Sequence, residues 1–406
     1  MSEKIRVMQM FYSFDVESAG GGLSRFAIEL GRKLDHTNFE VVFCSLGYHD
    51  STLEKKWIAD LREEGYEAFE ATNWDLDKPY LSFLKAQHAL NRRLSNQPVN
   101  ILHSHSEFTD INAVWFKLSH PSLGILRTVH YGFTSEWRTK PLRRHVLSNF
   151  LYPLFFNLEV GINQFNTDRL NRRFVAKIIG KRARRLYNAI PLQQFQHPLA
   201  ERRAKKRSLG IPSDSLVIGS IGRLVEQKGY TYLLDAVPIL LQHRPDTYFL
   251  IVGDGPLLDE IKAKAALLRI DQNVIFTGAR TDVEDLLRCM DLFVSSALWE
   301  GVPTVILEAM ACGVPVVATD IVGTNELIHD HQNGRLAPSR DGVGLAHVIL
   351  ETLASPTDLN HFISQAQKDL KQFEIGYVAQ EYENIYRSMV GRSHPLHQSP
   401  TRRCEA

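Results

Sequence analysis

The chain is poor in cysteine, with four in 406 residues: Cys44, Cys289, Cys312 and Cys404. No two of them form a CxxC pair, and none joins histidine at zinc-ligand spacing. This excludes a disulfide scaffold and a structural zinc site, and it fits a reducing cytosol. Net charge is nearly absent too, since 47 basic residues against 46 acidic ones leave +1. No global field argues for nucleic acid or a membrane, so electrostatic partners must be sought in local clusters. No run of about 18 apolar residues occurs, so no spanning helix is expected. The opening "MSEKIRVMQMFYSF" has charges and a short strand-like run, without the longer apolar stretch and cleavage site of a secretory leader. The expectation is a cytoplasmic protein, with a peripheral position on the inner face of the cytoplasmic membrane left open. A convincing Asp-x-Asp at a strand end is also missing. Asp75 and Asp77 have the spacing but stand in a polar, loop-like stretch ahead of Pro79.

What is present is an alternation of strand-like and helical stretches. "KIRVMQMFY" reads as a strand, and "GGLSRFAIELGRKLD" as a glycine turn and a helix with Leu23, Phe26, Ala27, Leu30 and Leu34 apolar. "FEVVFCSLG", "NILHSHS" and "GILRTVHY" follow as strands, the last two with histidine near the end. Such alternation implies βαβ units and parallel sheet. The pattern breaks between Leu186 and Lys206, where two prolines precede a basic run, and then restarts with "SLVIGSIGR". The expected division is a domain over 1–190, a linker over 191–206 and a second domain over 207–375. Residues 391–406, polar and rich in Pro, His and Arg, are expected to be disordered. Two doubly wound halves would bind ligands at the carboxyl ends of their strands, in a cleft between them.

Several motifs end strands. Gly20, Gly21 and Gly22 precede a helix, where backbone can approach an anion or simply turn. Arg223 and Lys228 in "SIGRLVEQKGY" suit a diphosphate leaving group, or are solvated surface charges. Gly253 in "IVGDGP" and Gly323 with Thr324 in "VGTNEL" are strand-to-helix turns with free amides. "LWEGVPTVILEAMACGVPVVATD" places Glu308 among apolar residues. A buried carboxylate there needs hydrogen-bond donors, which ribose hydroxyls would supply. The alternatives are a backbone cap or a solvent-facing side chain.

In this order these motifs resemble retaining, nucleotide-sugar-dependent glycosyltransferases of the family 4 (glycosyl transferases group 1) type, which have the GT-B fold. The resemblance runs from "GGGLSRFAIELGRKL" through "TVHYGF", "IGRLVEQKGY", "LIVGDGP", "VIFTG" and the Glu300/Glu308 pair to "VGTNELIHDHQNG". It implies two Rossmann-like domains facing across a cleft. It further implies that Arg223 and Lys228 neutralise the donor diphosphate, and that Glu300 orients the transferred sugar. Glu308 would accept from the ribose, and Gly21, Gly22, Gly253, Gly323 and Thr324 would line the donor. Thr277 and Gly278 would flank the base. His130 would stand near the reacting carbon, and His105 on the acceptor side. No metal and no cofactor is implied beyond a UDP- or GDP-linked sugar. A helix over 376–390 would cross back to the first domain. Two departures stand out. Asn188-Ala189 replaces the family's frequent Asn-Gly, and Trp299 precedes Glu300, so donor choice is not transferable.

The acceptor side is less informative. Arg138 to Arg185 joins basic stretches to the aromatic run Phe150–Phe156. It fits an anionic membrane surface and a lipid-linked acceptor, or a core segment under a solvated basic face. No RNA-binding module is visible, so no nucleic acid is expected. The leading function is sugar transfer to a glycan or glycolipid in surface polysaccharide biosynthesis. The alternatives are a disaccharide synthase or phosphorylase of the same fold, and a catalytically silent nucleotide-sugar-binding subunit.

Overall fold

The computed structural model describes residues 4–15, 21–47, 51–73, 78–130, 145–195 and 202–393. Asp75, Asp77, the stretch 138–144 and the tail from 394 onward lie outside these, with the expectations that fell on them.

Two parallel sheets organise the chain. In the first, β1 (Ile5–Phe11), β2 (Phe39–Ser45), β3 (Glu67–Glu70), β4 (Ile101–Ser104), β5 (Gly124–Val129), β6 (Leu158–Gly161) and β7 (Arg184–Arg185) take the order β3-β2-β1-β4-β5-β6-β7. In the second, β8 (Leu216–Ile221), β9 (Thr247–Val252), β10 (Val274–Phe276), β11 (Leu292–Ser295), β12 (Val316–Thr319) and β13 (Arg335–Ala337) take the order β10-β9-β8-β11-β12-β13. Both are α/β and doubly wound. Apolar clusters cover both faces of each sheet. This is why the strands read as near-continuous hydrophobic runs rather than alternating ones.

The order reverses between β1 and β4, and again between β8 and β11. Crossover connections leave opposite faces at such points, so the loops at the carboxyl ends part and leave room for a ligand. The exits of β1, β4, β8 and β11 are therefore where a site belongs.

The last helix, Ile375–Ser393, packs on the first half. Val378, Ala379, Tyr382, Ile385 and Tyr386 share a core with Val7, Phe11, Phe26 and Leu30. Where the chain passes from one half to the other, Ile190 N–H donates to Phe373 O (3.0 Å), and Ile375 N–H to Ile190 O (3.1 Å). The stretch 191–206 is not a free linker at its described residues. Leu192 and Phe195 pack with Ile306, Leu307 and Phe373. The helix Arg202–Ser208 buries Lys206, which reaches Ser215 O at 2.9 Å and Asp291 at 3.3 Å. Burial of the two apolar side chains and pairing of the lysine tie the segment to the second half.

Candidate active site

Helix Thr304–Ala311 carries Glu308. Pro303 sits at its start, and Gly313, with φ +73°, follows its end in the left-handed conformation that closes helices. Glu308 is 7% exposed. Its carboxylate makes no hydrogen bond or ion pair with the described residues, so it caps no backbone amide among them. Burial raises its pKa, opposed chiefly by Arg25 from helix Gly21–Lys33 of the first half, while Glu284 adds to the rise and Lys228 opposes it. A buried carboxylate without a donor is costly, and the cost falls when a ligand hydroxyl arrives.

Around it the turns leave unpaired donors. Arg223, beyond the end of β8, is exposed and makes no ion pair among the described residues. The amide N–H groups of Gly323 and Thr324 donate to no backbone carbonyl among the described residues. Gly323, at φ +97°, sits so close to the loop before Glu308 that a Cβ would stand 2.4 Å from Gly301 O. Gly253, at φ +134°, abuts Gly222 O in the same way at 2.1 Å, so the exits of β8 and β9 touch through glycine backbone. Its N–H donates to Gly278 O at 2.9 Å. Thr277 Oγ1 donates to the same carbonyl at 3.0 Å, and a Cβ on Gly278 would meet nothing within 4 Å. At the first half's edge Gly21 opens its helix, and the space around Gly22 is equally open.

One pairing was not foreseen from the sequence. Lys228 Nζ donates to Glu300 Oε1 at 2.5 Å, and Gln227 Nε2 donates to Trp299 O at 2.9 Å. The lysine and the carboxylate are 72 residues apart. Only the adjacency of β8 and β11 brings them together. Gly229, in the left-handed conformation at φ +61°, lets Lys228 turn there, because a Cβ would stand 2.1 Å from Ser296 O.

The two halves meet at this loop. A Cβ on Gly301 would stand 2.4 Å from His130 O, and Asn163 Nδ2 donates to Gly301 O at 2.8 Å. Glu326 accepts from Gln164 N–H at 2.9 and 2.8 Å, at the N-terminus of helix Gln164–Arg172, where the helix dipole favours a carboxylate. His130 thus lies against the backbone next to Glu300. It is 5% exposed, and burial pushes its pKa down to about 3, partly offset by Asn188 beside it. His105, expected to line the acceptor side, is 1% exposed. Both its ring nitrogens face buried partners, Gln9 at 2.7 Å and His130 at 3.3 Å, so it stands behind His130 and does not reach a substrate.

Comparison with known proteins shows the family and the fold. The family model for Glycosyltransferase Family 4 matches residues 20–193, and that for Glycosyl transferases group 1 matches residues 201–369. The chain belongs to the family 4 type of glycosyltransferases. Its fold is GT-B. The structure of Anabaena Alr3699/HepE in complex with UDP-glucose superposes with a TM-score of 0.76 at 20% identity, covering 95% of this chain and 100% of that one. Among curated relatives, the UDP-Gal:alpha-D-GlcNAc-diphosphoundecaprenol alpha-1,3-galactosyltransferase of Escherichia coli is 32% identical over 157 residues, 38% of this chain and 41% of that one. The lipopolysaccharide core biosynthesis mannosyltransferase LpsB of Rhizobium meliloti is 37% identical over 148 residues, 35% of this chain and 42% of that one. The match therefore spans about two fifths of those two relatives. The putative glycosyltransferase EpsF of Bacillus subtilis is 26% identical over 312 residues, 74% of this chain and 77% of that one.

Proposed function

We propose that this family 4 glycosyltransferase moves a sugar, with retention, from a UDP- or GDP-linked donor to a glycan or lipid-linked acceptor in surface polysaccharide biosynthesis. The observation that carries the reading is Glu308, a carboxylate 7% exposed and without a donor, at the switch point of the second sheet. Ribose hydroxyls complete it. Arg223 and the amides of Gly323 and Thr324 hold the diphosphate. Lys228, steadied by Glu300, meets the charge that grows on the leaving phosphate. Fixed donors aimed at developing charge are the strongest single contribution available to such a site. We infer that these groups take the place of a metal. Glu300 orients the transferred sugar, with His130 beside it. The relatives named for lipopolysaccharide and undecaprenol-linked substrates support the acceptor class.

The acceptor reading extends to a membrane surface. Phe150 (47% exposed), Leu154 (54%), Phe174 (72%) and Ile178 (67%) lie on short helices packed against one another. Lys177, Arg172 and Arg182 are exposed near them. Apolar side chains flanked by cations suit an anionic bilayer surface. Not every cation here faces water, because Arg173 is 6% exposed and pairs with Glu159. No helix among the described residues is long and apolar enough to cross a membrane.

The test is donor binding in chelator. Purified protein is titrated with UDP-, GDP- and ADP-sugars, and sugar release from any binder is followed by mass spectrometry. Selective binding with release supports the reading. No binding to any of them overturns it. Flotation with phosphatidylglycerol vesicles against phosphatidylcholine vesicles tests the membrane part, and equal binding to both counts against it.

A further inference from the structure

Glu300 is fastened from both halves. It stands between two carbonyls that each accept from a side chain. Trp299 O accepts from Gln227 Nε2 at 2.9 Å, within the second half. Gly301 O accepts from Asn163 Nδ2 at 2.8 Å, across from the first half. The backbone has no room to shift toward that half, because a Cβ on Gly301 would stand 2.4 Å from His130 O and 3.1 Å from Ile162 Cδ1. On the other side, a Cβ on Gly323 would stand 2.4 Å from Gly301 O and 2.9 Å from Glu300 O. The turn proposed for the sugar and the turn proposed for the diphosphate therefore touch, and both reach the same place in the first half.

That place is the start of helix Gln164–Arg172. Asn163 is its N-cap and is fully buried. Its Oδ1 accepts from Asn166 N–H at 2.7 Å. One side chain so serves both halves: the oxygen caps the helix, and the amide N–H crosses the cleft. The reversed amide could do neither, since its nitrogen cannot accept from Asn166 N–H and its oxygen cannot donate to Gly301 O. Glu326, two residues after Thr324, accepts from Gln164 N–H with both oxygens, at 2.9 and 2.8 Å. The first amides of a helix have no partner within it, and here the partner comes from the other half. Next to Asn163, Ile162 belongs to the second half's apolar cluster with Val302 and Leu327, all three buried.

We propose that Asn163 and Glu326 are positioning residues, which lock the Glu300–Gly301 turn and the Gly323–Thr324 turn onto one helix end of the first half, so that the donor's sugar is oriented only while the halves are docked. What the two turns hold rests on the proposed function, but the lock itself does not. The nucleoside end should feel little of it, because Glu308 sits on a helix of the second half. Breaking the lock should therefore slow sugar release more than it weakens nucleotide binding.

The experiment is hydrogen exchange of the full chain, read by mass spectrometry over 164–168 and 299–304, with nucleotide binding and sugar release as a second arm. Asn163→Asp keeps an oxygen for the helix cap and turns the atom facing Gly301 O from donor to acceptor. It should quicken exchange over 299–304. Glu326→Ala should quicken exchange over 164–168. Gln164→Ala changes an exposed side chain and keeps the backbone amide that Glu326 meets, so it should match the parent. In the second arm the parent is offered UDP-glucose and GDP-mannose, and the one it binds is used together with its nucleoside diphosphate. Asn163→Asp and Glu326→Ala should slow sugar release by roughly ten- to a hundredfold, the order of loss from a small misplacement, with the nucleoside diphosphate Kd changed by about threefold at most. Parent-like exchange in both variants overturns the proposal. So does an equal loss in Kd and rate, which would put the two residues in nucleotide binding or general stability. Quickened exchange with release at the parent rate overturns it too, because the contact would then be structural alone. If Asn163→Asp fails to fold, Glu326→Ala decides, since that side chain is only half-buried. If neither nucleotide sugar binds the parent, the proposed function fails and the exchange arm decides the lock.

Discussion

The two halves treat polar groups in opposite ways. In the second half, Glu308 and the amides of Gly323 and Thr324 have no hydrogen-bond partner among the described residues, and Arg223, past the end of β8, is exposed. In the first half, many buried polar side chains are consumed by one another. His103 and His105 have both ring nitrogens engaged, and Arg127 bridges Asp110 (2.7 Å) and Glu159 (2.8 Å), all buried. A half with unmet donors and acceptors is built to receive a polar ligand. The first half instead pairs most of the polar side chains behind His130 with one another, which holds its shape, although His130 Nδ1 and Asn188 Oδ1 have no hydrogen-bond partner among the described residues.

The sharpest way to break this comparison is to remove charge from the receiving half. Lys228→Ala should lower kcat by roughly 10²–10³-fold, the loss typical of one donor to developing charge. Donor Kd should change much less, because the interaction grows toward the transition state. Steady-state kinetics with isothermal titration would show it. Equal losses in both would make Lys228 a ground-state binder.

Next in size is the buried carboxylate. Glu308→Ala should weaken donor binding by roughly ten- to a hundredfold, the range for hydrogen bonds to a charged group. Glu308→Gln isolates the titration. The folded-state pKa is raised above the ordinary 4.5, so the unfolded chain releases its proton first and stability falls as pH rises through that region. The glutamine variant should therefore melt at the parent's temperature below pH 4.5 and above it near neutrality. A constant offset across pH would mean that Glu308 has a hidden donor.

The satisfied half should respond to acid instead. His130 is held near 3 against an ordinary 6.5, and His103 and His105 are lowered too. On acidification below 6.5 the unfolded chain binds these protons first, so stability is lost as pH falls. Each such histidine contributes up to about 1.4 kcal/mol per pH unit. Thermal melts of the parent and of His103→Gln, followed from pH 7 toward 5, should diverge on the acid side. Smallest of all, Arg203→Ala should leave melting and kinetics unchanged, since its ion pair with Asp214 is exposed at both ends (75% and 83%).

The contrast also explains what could be read from the residues. The second half's motifs are local. A strand, a glycine turn and a helix carry Gly253, Gly323 or Glu308 within a dozen positions, so periodicity places them on their elements, while their roles come only from the family resemblance. The Lys228–Glu300 pair joins positions 72 apart, and the Gln9–Tyr386 contact joins positions 377 apart. A single chain shows no sign of such meetings until the sheet order is known. His105 was misplaced for the same reason: its strand end pointed toward a ligand, but nothing local revealed Gln9 on one side and His130 on the other. The segment 191–206 reads as a linker from its prolines and basic run, and what those residues do not reveal is the packing of Leu192 and Phe195, whose burial needs the helix Thr304–Ala311.

The chain passes between its halves side by side at Ile190 and Ile375, with a backbone hydrogen bond to each flank of the crossing. Each crossing is thereby held by the other, and the passage between the halves is a paired contact rather than a single thread.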